Sequence, residues 1–451
     1  MLDVVILAAG QGSRMKSDLP KVLHRVGGVP MVQHVINAVA DIADRIILVV
    51  GHGQEQVRAQ LAGQELVFVE QAQQLGTGHA LAQALPHLTP GGTTLMLYGD
   101  GPLIERADID ALVQAAQRGE YALLSAQLDD PTGYGRIIRD QGQVVAIVEQ
   151  KDASEQQRAI REINTGLLCA PTDAFAAYLP QLSDDNAQGE YYVTDCLALA
   201  VAAKQPTCAV TTCDTTSILG ANDRAQLAVL EQAYQARERS RLMREGASLI
   251  DPARVSIQGS VTTGRDCIIH PDVQFSGRVE LGDRVVLGQG VIVTDSQIAS
   301  DTTIAPYCVI EGAQIESGAD VGPFARLRPG AVMHPGSKAG NFVEIKNATL
   351  HPGAKANHLT YVGDATVGAR ANLGAGTITC NYDGANKHHT EIGEDAFVGS
   401  NSALVAPVSI APGATIGAGS TITKDAPAGL SLTRSKQMNL PGFQRPTKDR
   451  Q

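Results

Sequence analysis

The sequence predicts two architectures in one chain, an α/β domain followed by a parallel β-helix of hexapeptide repeats. From Val255 onward an apolar residue returns every six positions, at Val255, Val261, Cys267, Val273, Val279, Val285 and Val291, and again at Ile392, Val398, Leu404, Ile410, Ile416 and Ile422. A helix repeats its apolar face at about 3.6 residues and a strand at about 2, so a period of six points to a coil of three short strands with these residues inside. In the first half, short β-branched runs alternate with helical patterns, which implies a mainly parallel sheet covered by helices on both faces.

Taken in order, Val4 to Leu7, Ile46 to Val50, Leu66 to Val69 and Leu95 to Tyr98 read as strands, and Met31 to Ala40, Ala107 to Gln117 and Thr194 to Ala202 as helices with apolar core faces. Asp223 to Glu245 holds no Pro or Gly and is rich in Ala, Leu, Gln, Glu and Arg, so it reads as a long polar linker helix capped by Asn222 or Asp223. The expected division is therefore 1–222, a linker at 223–245, a β-helix at 246–433 and a tail at 434–451. Within the β-helix the spacing of six fails near Lys338 to Lys346 and near Asn381 to His389, and insertions in a solenoid map to loops. Gly follows the apolar residue in Val321-Gly322, Val362-Gly363, Val367-Gly368, Ile392-Gly393, Val398-Gly399 and Ile416-Gly417, where corner turns with left-handed backbone are expected. The tail from Arg434 is basic, contains Pro441 and Pro446, and reads as poorly ordered.

Composition narrows the class. The 451 residues are 43% hydrophobic and 18% charged, with no Trp and seven Phe, which suits coils lined by small side chains better than an aromatic core. A net charge of −11 argues against a general nucleic-acid or anionic-membrane surface while leaving room for a local basic pocket. Seven dispersed cysteines without a Cys-x-x-Cys pair read as reduced thiols of a cytoplasmic protein. The N-terminus lacks a charged leader, and no apolar run approaches the roughly 18 residues of a membrane span.

Chemistry is signalled first by Leu7-Ala8-Ala9-Gly10-Gln11-Gly12-Ser13-Arg14-Met15 with Leu19-Pro20-Lys21, directly after the first strand. Glycines there let backbone N–H groups approach phosphate oxygens, and Arg14 and Lys21 can balance phosphate charge; a tight strand-to-helix turn is the alternative for the loop alone. Neither the Gly-Lys-Ser/Thr ending of a Walker loop nor the third Gly of a dinucleotide fingerprint is present. Asp100 follows a strand at the carboxyl edge of the sheet, where it can offer an oxygen to a magnesium ion.

These segments, with Gln71 to Ala80 (Leu75-Gly76-Thr77-Gly78-His79-Ala80) and Tyr98-Gly99-Asp100, resemble the motifs of sugar-1-phosphate nucleotidyltransferases. The resemblance implies that Leu7, Ala8, Ala9, Gly10, Lys21, Gln71, Gly76, Thr77, Tyr98, Gly99 and Asp100 contact UTP or its uridylyl product. It further implies that Gly135, Glu149, Asn164 and Asn222 hold the sugar phosphate, and that Asp100 and Asn222 ligate Mg2+. Gln11 and Gly101 depart from the family, which commonly has a basic residue at the first position and a larger one at the second.

In the repeats, Gly340-Asn341-Phe342-Val343-Glu344-Ile345-Lys346, His358-Leu359-Thr360-Tyr361 and Gly374-Ala375-Gly376 through Asn381-Tyr382-Asp383-Gly384 extend the likeness over the whole chain. The chain resembles the family of bacterial bifunctional N-acetylglucosamine-1-phosphate uridyltransferases/glucosamine-1-phosphate N-acetyltransferases, whose β-helix is left-handed. A neutral imidazole with an ordinary pKa of about 6.5 suits removal of a proton from an amine, and His358 matches that base. The resemblance implies Arg328, Lys346, Tyr361 and Asn372 as contacts of the sugar phosphate, and Ala375, Asn381, Tyr382, Ser400, Ala418 and Arg434 as contacts of acetyl-CoA, with the spacing before Arg434 slightly shorter than the family's. Glu344 is a candidate to orient the imidazole, and Lys387 to meet cofactor phosphates. The resemblance also implies a homotrimer with acetyl-CoA sites between subunits and a product used in cell-envelope synthesis. Two rival readings are a single-activity nucleotidyltransferase whose β-helix only assembles or regulates it, and a non-enzymatic scaffold.

Overall fold

The computed structural model describes residues 1–445; Pro446 and the end of the expected tail lie outside them. The chain divides into two compact units, Met1–Ala236 and Arg237–Gln451, and the division falls inside the helix Arg224–Arg244.

The first unit is a nine-stranded sheet whose main path runs Thr207–Thr211, Tyr121–Gln127, Glu162–Pro171, Thr93–Tyr98, Leu2–Ala8, Arg45–Val50 and Val67–Glu70. All neighbours on that path are parallel except Glu162–Pro171, which is antiparallel to both of its own. Every residue of Leu2–Ala8 is buried, as expected of a central strand covered on two faces. Its side chains alternate between two cores: Val4, Ile6 and Ala8 enter one, Val5 and Leu7 the other. Helix Met31–Val39 buries Met31, Val32, Val35, Ile36 and Val39, and Arg106–Gln117 buries Ile109, Leu112, Val113 and Ala116, the spacing of an amphipathic core helix. From Leu2–Ala8 the chain first adds strands on one side and then crosses to Thr93–Tyr98 on the other. That reversal leaves a crevice at the carboxyl ends of these two strands, where the phosphate-loop segment and Asp100 emerge.

The helix Arg224–Arg244 is shared between the units. Asp223 caps it, accepting the Gln226 N–H at 2.8 Å. Leu230, with Leu227, Ala233 and Tyr234, packs on Val26, Met31, Leu103 and Ala221 of the first unit. Leu242 belongs to the β-helix core, and Arg239 and Arg241 donate to the carbonyls of Val255 (2.7 Å) and Val261 (2.9 Å).

In the second unit parallel strands stack coil on coil, in one sheet of eleven strands and another of fourteen. All the six-spaced apolar residues from Val255 to Ile422 are buried in one continuous core. Ser256 pairs with Gln274 and Gln274 with Ile292, a coil of 18 residues. From Val279 most register steps are 17, as from Thr303 to Asp320 and from Lys338 through Lys355 to Asn372, with a step of 18 between Asp320 and Lys338. Shortening a coil by one residue removes the period of six without opening a loop. Lys338–Lys346 is not an insertion either: the coil leading into it has 18 residues, Val321, Leu327, Met333, Ala339 and Ile345 keep the period of six in the core, and strands Lys338–Asn341 and Glu344–Leu350 run through it. Asn381 to His389 is an insertion: the coil spans 25 residues, and the extra chain forms a small hairpin with Tyr382 bridged to Lys387.

The corner glycines also differ from expectation. Of the six that follow an apolar residue, only Gly322 has a positive φ. Most of the others are needed for close approach of coils: a Cβ on Gly368 would lie 2.5 Å from the Glu394 nitrogen, and one on Gly393 2.4 Å from that of Pro412. The left-handed residue comes two positions after most of these glycines, at Phe324, Arg370, Asp395, Asn401 and Gly419.

Candidate active sites

The crevice of the first unit is a cavity of about 670 Å3 lined by Leu7, Ala8, Ala9, Gly10, Arg14, Lys21, Gln71, Gly76, Thr77, Tyr98, Asp100 and Asn222 among others. The loop is shaped by Gly12 at φ 61, where a Cβ would strike Lys21 Cβ at 2.7 Å, and is anchored by the buried Met15. Lys21 Nζ lies 2.5 Å from Asp100 Oδ2 and 3.3 Å from Asn222 Oδ1. Two oxygens from distant segments thus converge on one point. Hard oxygen donors that leave further positions to phosphate and water suit a magnesium-type cation. Gln71, 3% exposed, donates from Nε2 to the Gly76 carbonyl at 3.1 Å, while Thr77 Oγ1 accepts the Val193 N–H at 3.2 Å. Gly76 has φ 108, and a Cβ there would lie 2.7 Å from the Tyr191 carbonyl oxygen.

Gly99, Gly135, Glu149 and Asn164 do not line this cavity, although their chain neighbours Tyr98, Tyr134 and Thr165 do. Burial, with the nearby charges of Asp100 and Glu149, holds the Tyr98 phenol protonated well above its usual range. Burial likewise raises the Glu149 carboxyl, assisted by the charges of Asp195 and Asp152 and opposed by a 3.4 Å hydrogen bond from the Thr194 hydroxyl. A Cβ on Gly135 would approach Glu149 Oε1 to 3.1 Å, and Gly135 pairs in register with Asn164, whose Oδ1 accepts the Gly166 N–H at 3.1 Å. A Cβ on Gly166 would meet the Tyr98 ring at 2.3 Å, so small residues keep this wall close to the phenol.

On the β-helix, inter-coil hydrogen bonds define one column of corner residues. Leu359 N–H donates to Asn341, Gly376 to His358, Asn401 to Ala375 and Gly419 to Ser400, and Arg434 Nη1 donates to the Ala418 carbonyl at 3.1 Å. Asn341, His358, Ala375, Ser400 and Ala418 therefore stack on consecutive coils. The N–H groups of Gly374 and Gly376 are taken by the Val398 and His358 carbonyls, whereas Ala375 N–H, between them, is used by no group of the described residues. His358 Nδ1 is hydrogen-bonded to Asn341 Oδ1.

Beside this column, Glu344 pairs with Tyr361 and Lys346 with Gly363. Arg328 Nη1 donates to Glu344 Oε1 at 2.9 Å. The insertion hairpin carries Lys387 back to Lys346, and that second ammonium, with Arg328 farther off, lowers the Lys346 pKa. Asp364 accepts from Asn347 Nδ2 at 2.6 Å and from Asn381 Nδ2; burial works against its charge, yet these bonds and the two lysines keep the carboxyl below the usual range. Three cations converge here, an arrangement suited to a phosphate. Asn372 lies on the other face of the corner, in register with Lys355 and Phe397.

Residues 4–163 match the MobA-like NTP transferase domain, and residues 389–424 match six repeats of the bacterial transferase hexapeptide. The Bifunctional protein GlmU of Stutzerimonas stutzeri strain A1501 is 55% identical over 450 residues, 99% of each chain. That of Cellvibrio japonicus strain Ueda107 is 51% identical over 457 residues, covering 99% of this chain and 100% of its own. The chain belongs to the bifunctional GlmU family. It is an enzyme that joins a nucleotidyltransferase half to a hexapeptide acyltransferase half, as its motifs imply.

Within the GlmU framework one sequence-based assignment changes. Glu344, expected to orient the imidazole, is engaged by Arg328, and the group on His358 is Asn341. Asn341 was missed because its contact crosses one coil of 17 residues, and the period of six fails there. Lys387 meets Lys346, within the cation cluster. Tyr382 is 61% exposed on the hairpin and Asn381 is buried against Asp364. No helix among the described residues is long and apolar enough to cross a membrane.

Proposed function

We propose that the β-helix acetylates glucosamine-1-phosphate from acetyl-CoA, and that the first unit transfers uridylyl from UTP to the resulting N-acetylglucosamine-1-phosphate, giving UDP-N-acetylglucosamine in the cytoplasm. The observation that carries the reading is one chain with two separate chemistries: converging oxygens beside a phosphate loop in one unit, and an imidazole next to an unused backbone N–H in the other.

In the first reaction the amine of glucosamine-1-phosphate attacks the thioester carbonyl of acetyl-CoA. His358 Nε2 takes the ammonium proton, the C–N bond forms, the C–S bond breaks and the CoA thiolate leaves. Ala375 N–H is available to the tetrahedral oxyanion. Arg328, Lys346 and Lys387 receive the sugar phosphate, with Tyr361 beside the sugar. Ser400, Ala418 and Arg434 offer the cofactor a track along the same corner, and Asn381 and Tyr382 flank it.

In the second reaction a phosphate oxygen of the sugar attacks the α-phosphorus of UTP in line, and pyrophosphate leaves. Asp100 and Asn222 hold Mg2+, which neutralises phosphate charge when bound. Arg14 and Lys21 balance the remaining charge, Gln71, Gly76 and Thr77 hold the base, and Gly135, Glu149 and Asn164, set back from the cavity lining, shape the wall on which the sugar sits.

A homotrimer completes the acetyl site. Tyr307, Phe324, Phe342 and Leu359 form an exposed ladder at the position next to the His358 column, with ring centroids 5.4 and 5.2 Å apart and planes within 13°. All four are bulky residues in left-handed backbone, at φ 60, 56, 56 and 50, which costs roughly 1 to 2 kcal/mol each. Asn372 lies across the corner from Arg328 and Lys346, which suits a site closed by a neighbouring copy.

Two substitutions separate the sites. Asp100→Ala is expected to lower uridylyl transfer by at least about a thousandfold and spare acetylation. His358→Ala is expected to lower acetylation by about a hundred- to ten-thousandfold and spare uridylyl transfer. Equal loss of both activities in either variant defeats the two-site reading.

A further inference from the structure

Strands Lys338–Asn341 and Lys355–His358 are parallel neighbours, with Asn341 and His358 in direct register at their ends. The Asn341 amide oxygen meets His358 Nδ1. A carboxamide oxygen only accepts, so in this pairing Nδ1 carries the proton. A neutral imidazole has one N–H, which leaves Nε2 with the lone pair. The backbone fixes both partners: Leu359 N–H binds the Asn341 carbonyl at 3.1 Å, Gly376 N–H binds the His358 carbonyl at 3.3 Å, and the Thr360 hydroxyl donates to that same carbonyl at 2.7 Å.

We infer that Asn341 is a positioning residue for acetyl transfer, fixing His358 in the tautomer whose Nε2 can accept the amine proton. This rests on the acetyltransferase reading above. The other titratable groups on the strands around His358 are engaged elsewhere. Lys338 Nζ lies 3.3 Å from Asp320, Glu344 takes Arg328, Lys346 faces Lys387, and Asp364 is held by Asn347 and Asn381. Lys355 and Tyr361 have no hydrogen bond to the imidazole. A neutral acceptor at Nδ1 orients the ring without adding charge to it, whereas a carboxylate there stabilises the imidazolium and delays its conversion to a base.

The test is steady-state acetylation by the full-length protein, followed as CoA thiol release between about pH 5.5 and 9, a range that brackets an ordinary imidazole. Asn341→Ala is expected to lower kcat by about ten- to a hundredfold, a fraction of the full value of a general base, with KM for glucosamine-1-phosphate and acetyl-CoA within about twofold. Asn341→Asp, which keeps the acceptor, is expected to restore most of kcat at high pH while moving the acid limb of the profile to higher pH. A thermal unfolding transition of the β-helix at the wild-type midpoint in both variants reports that the unit carrying Asn341 has folded. Wild-type kcat in Asn341→Ala overturns the inference, as does a loss in Asn341→Asp as deep as in Asn341→Ala with no displaced limb. His358→Ala in parallel separates the levels: if it still acetylates at the wild-type rate, the reading of His358 as base has failed, and not only the role of Asn341.

Discussion

The Lys21 ammonium sits between Asp100 and Asn222, the two side chains that fit a divalent cation. The local motif places Lys21 with Arg14 in the phosphate loop, and that much is legible in sequence. Its meeting with Asn222 is reached in sequence only through the family resemblance, because the two are 201 positions apart and no local pattern joins them. Glu149 shows the cost of a site. Its carboxyl is raised by burial, so at neutral pH the folded protein either holds a desolvated charge or binds a proton that the unfolded chain has released. The native state binds more protons than the unfolded one above the ordinary carboxylate range, so this group's contribution to stability falls as pH rises through that range and up to the raised value. Glu149→Gln is expected to raise the melting temperature at pH 7 and flatten that dependence, while raising KM for N-acetylglucosamine-1-phosphate in the uridylyl assay. A lower melting temperature at pH 7 would show that the charge is compensated within the site.

At the scale of elements, the hexapeptide rule is a rule about coil length. Coils of 18 residues keep the period of six, coils of 17 break its phase, and a coil of 25 adds the Asn381 to His389 hairpin. The buried ladder at Val255 to Val291, at Val321 to Ile345 and at Ile392 to Ile422 therefore keeps the period of six, while the stretch after Ile345, which holds His358 and its neighbours, does not. The corner glycines were misread for a related reason: sequence marks where Gly is required but not whether φ or contact requires it. Gly393→Ala is expected to destabilise the β-helix by about 1 to 3 kcal/mol, the range for forced overpacking, because its Cβ would meet backbone of the next coil. Gly413 has φ 67 with open space around it, and its change to Ala is expected to cost only the left-handed penalty of about 1 kcal/mol. Denaturant melts of the two variants distinguish packing from backbone angle; equal midpoints would contradict the close-approach account.

At the scale of the whole molecule, two units carry chemistries whose intermediate, an N-acetylated sugar phosphate, is the product of one and the substrate of the other. In the proposed homotrimer the exposed ladder from Tyr307 to Leu359 would tie the second chemistry to assembly. Phe324→Glu with Phe342→Glu is expected to convert a trimer to monomers by light scattering, with acetylation lost and uridylyl transfer kept. A trimer that persists in this variant removes the ladder from the subunit seam. The central claim is that both reactions occur in this chain and run in series. The most direct measurement supplies glucosamine-1-phosphate, acetyl-CoA, UTP and Mg2+ to the purified protein and follows CoA thiol and pyrophosphate separately, omitting one substrate at a time. The expected result is release of both products, with pyrophosphate formed from glucosamine-1-phosphate only when acetyl-CoA is present. Pyrophosphate only on direct supply of N-acetylglucosamine-1-phosphate, without thiol release, would contradict the account and leave the β-helix a scaffold.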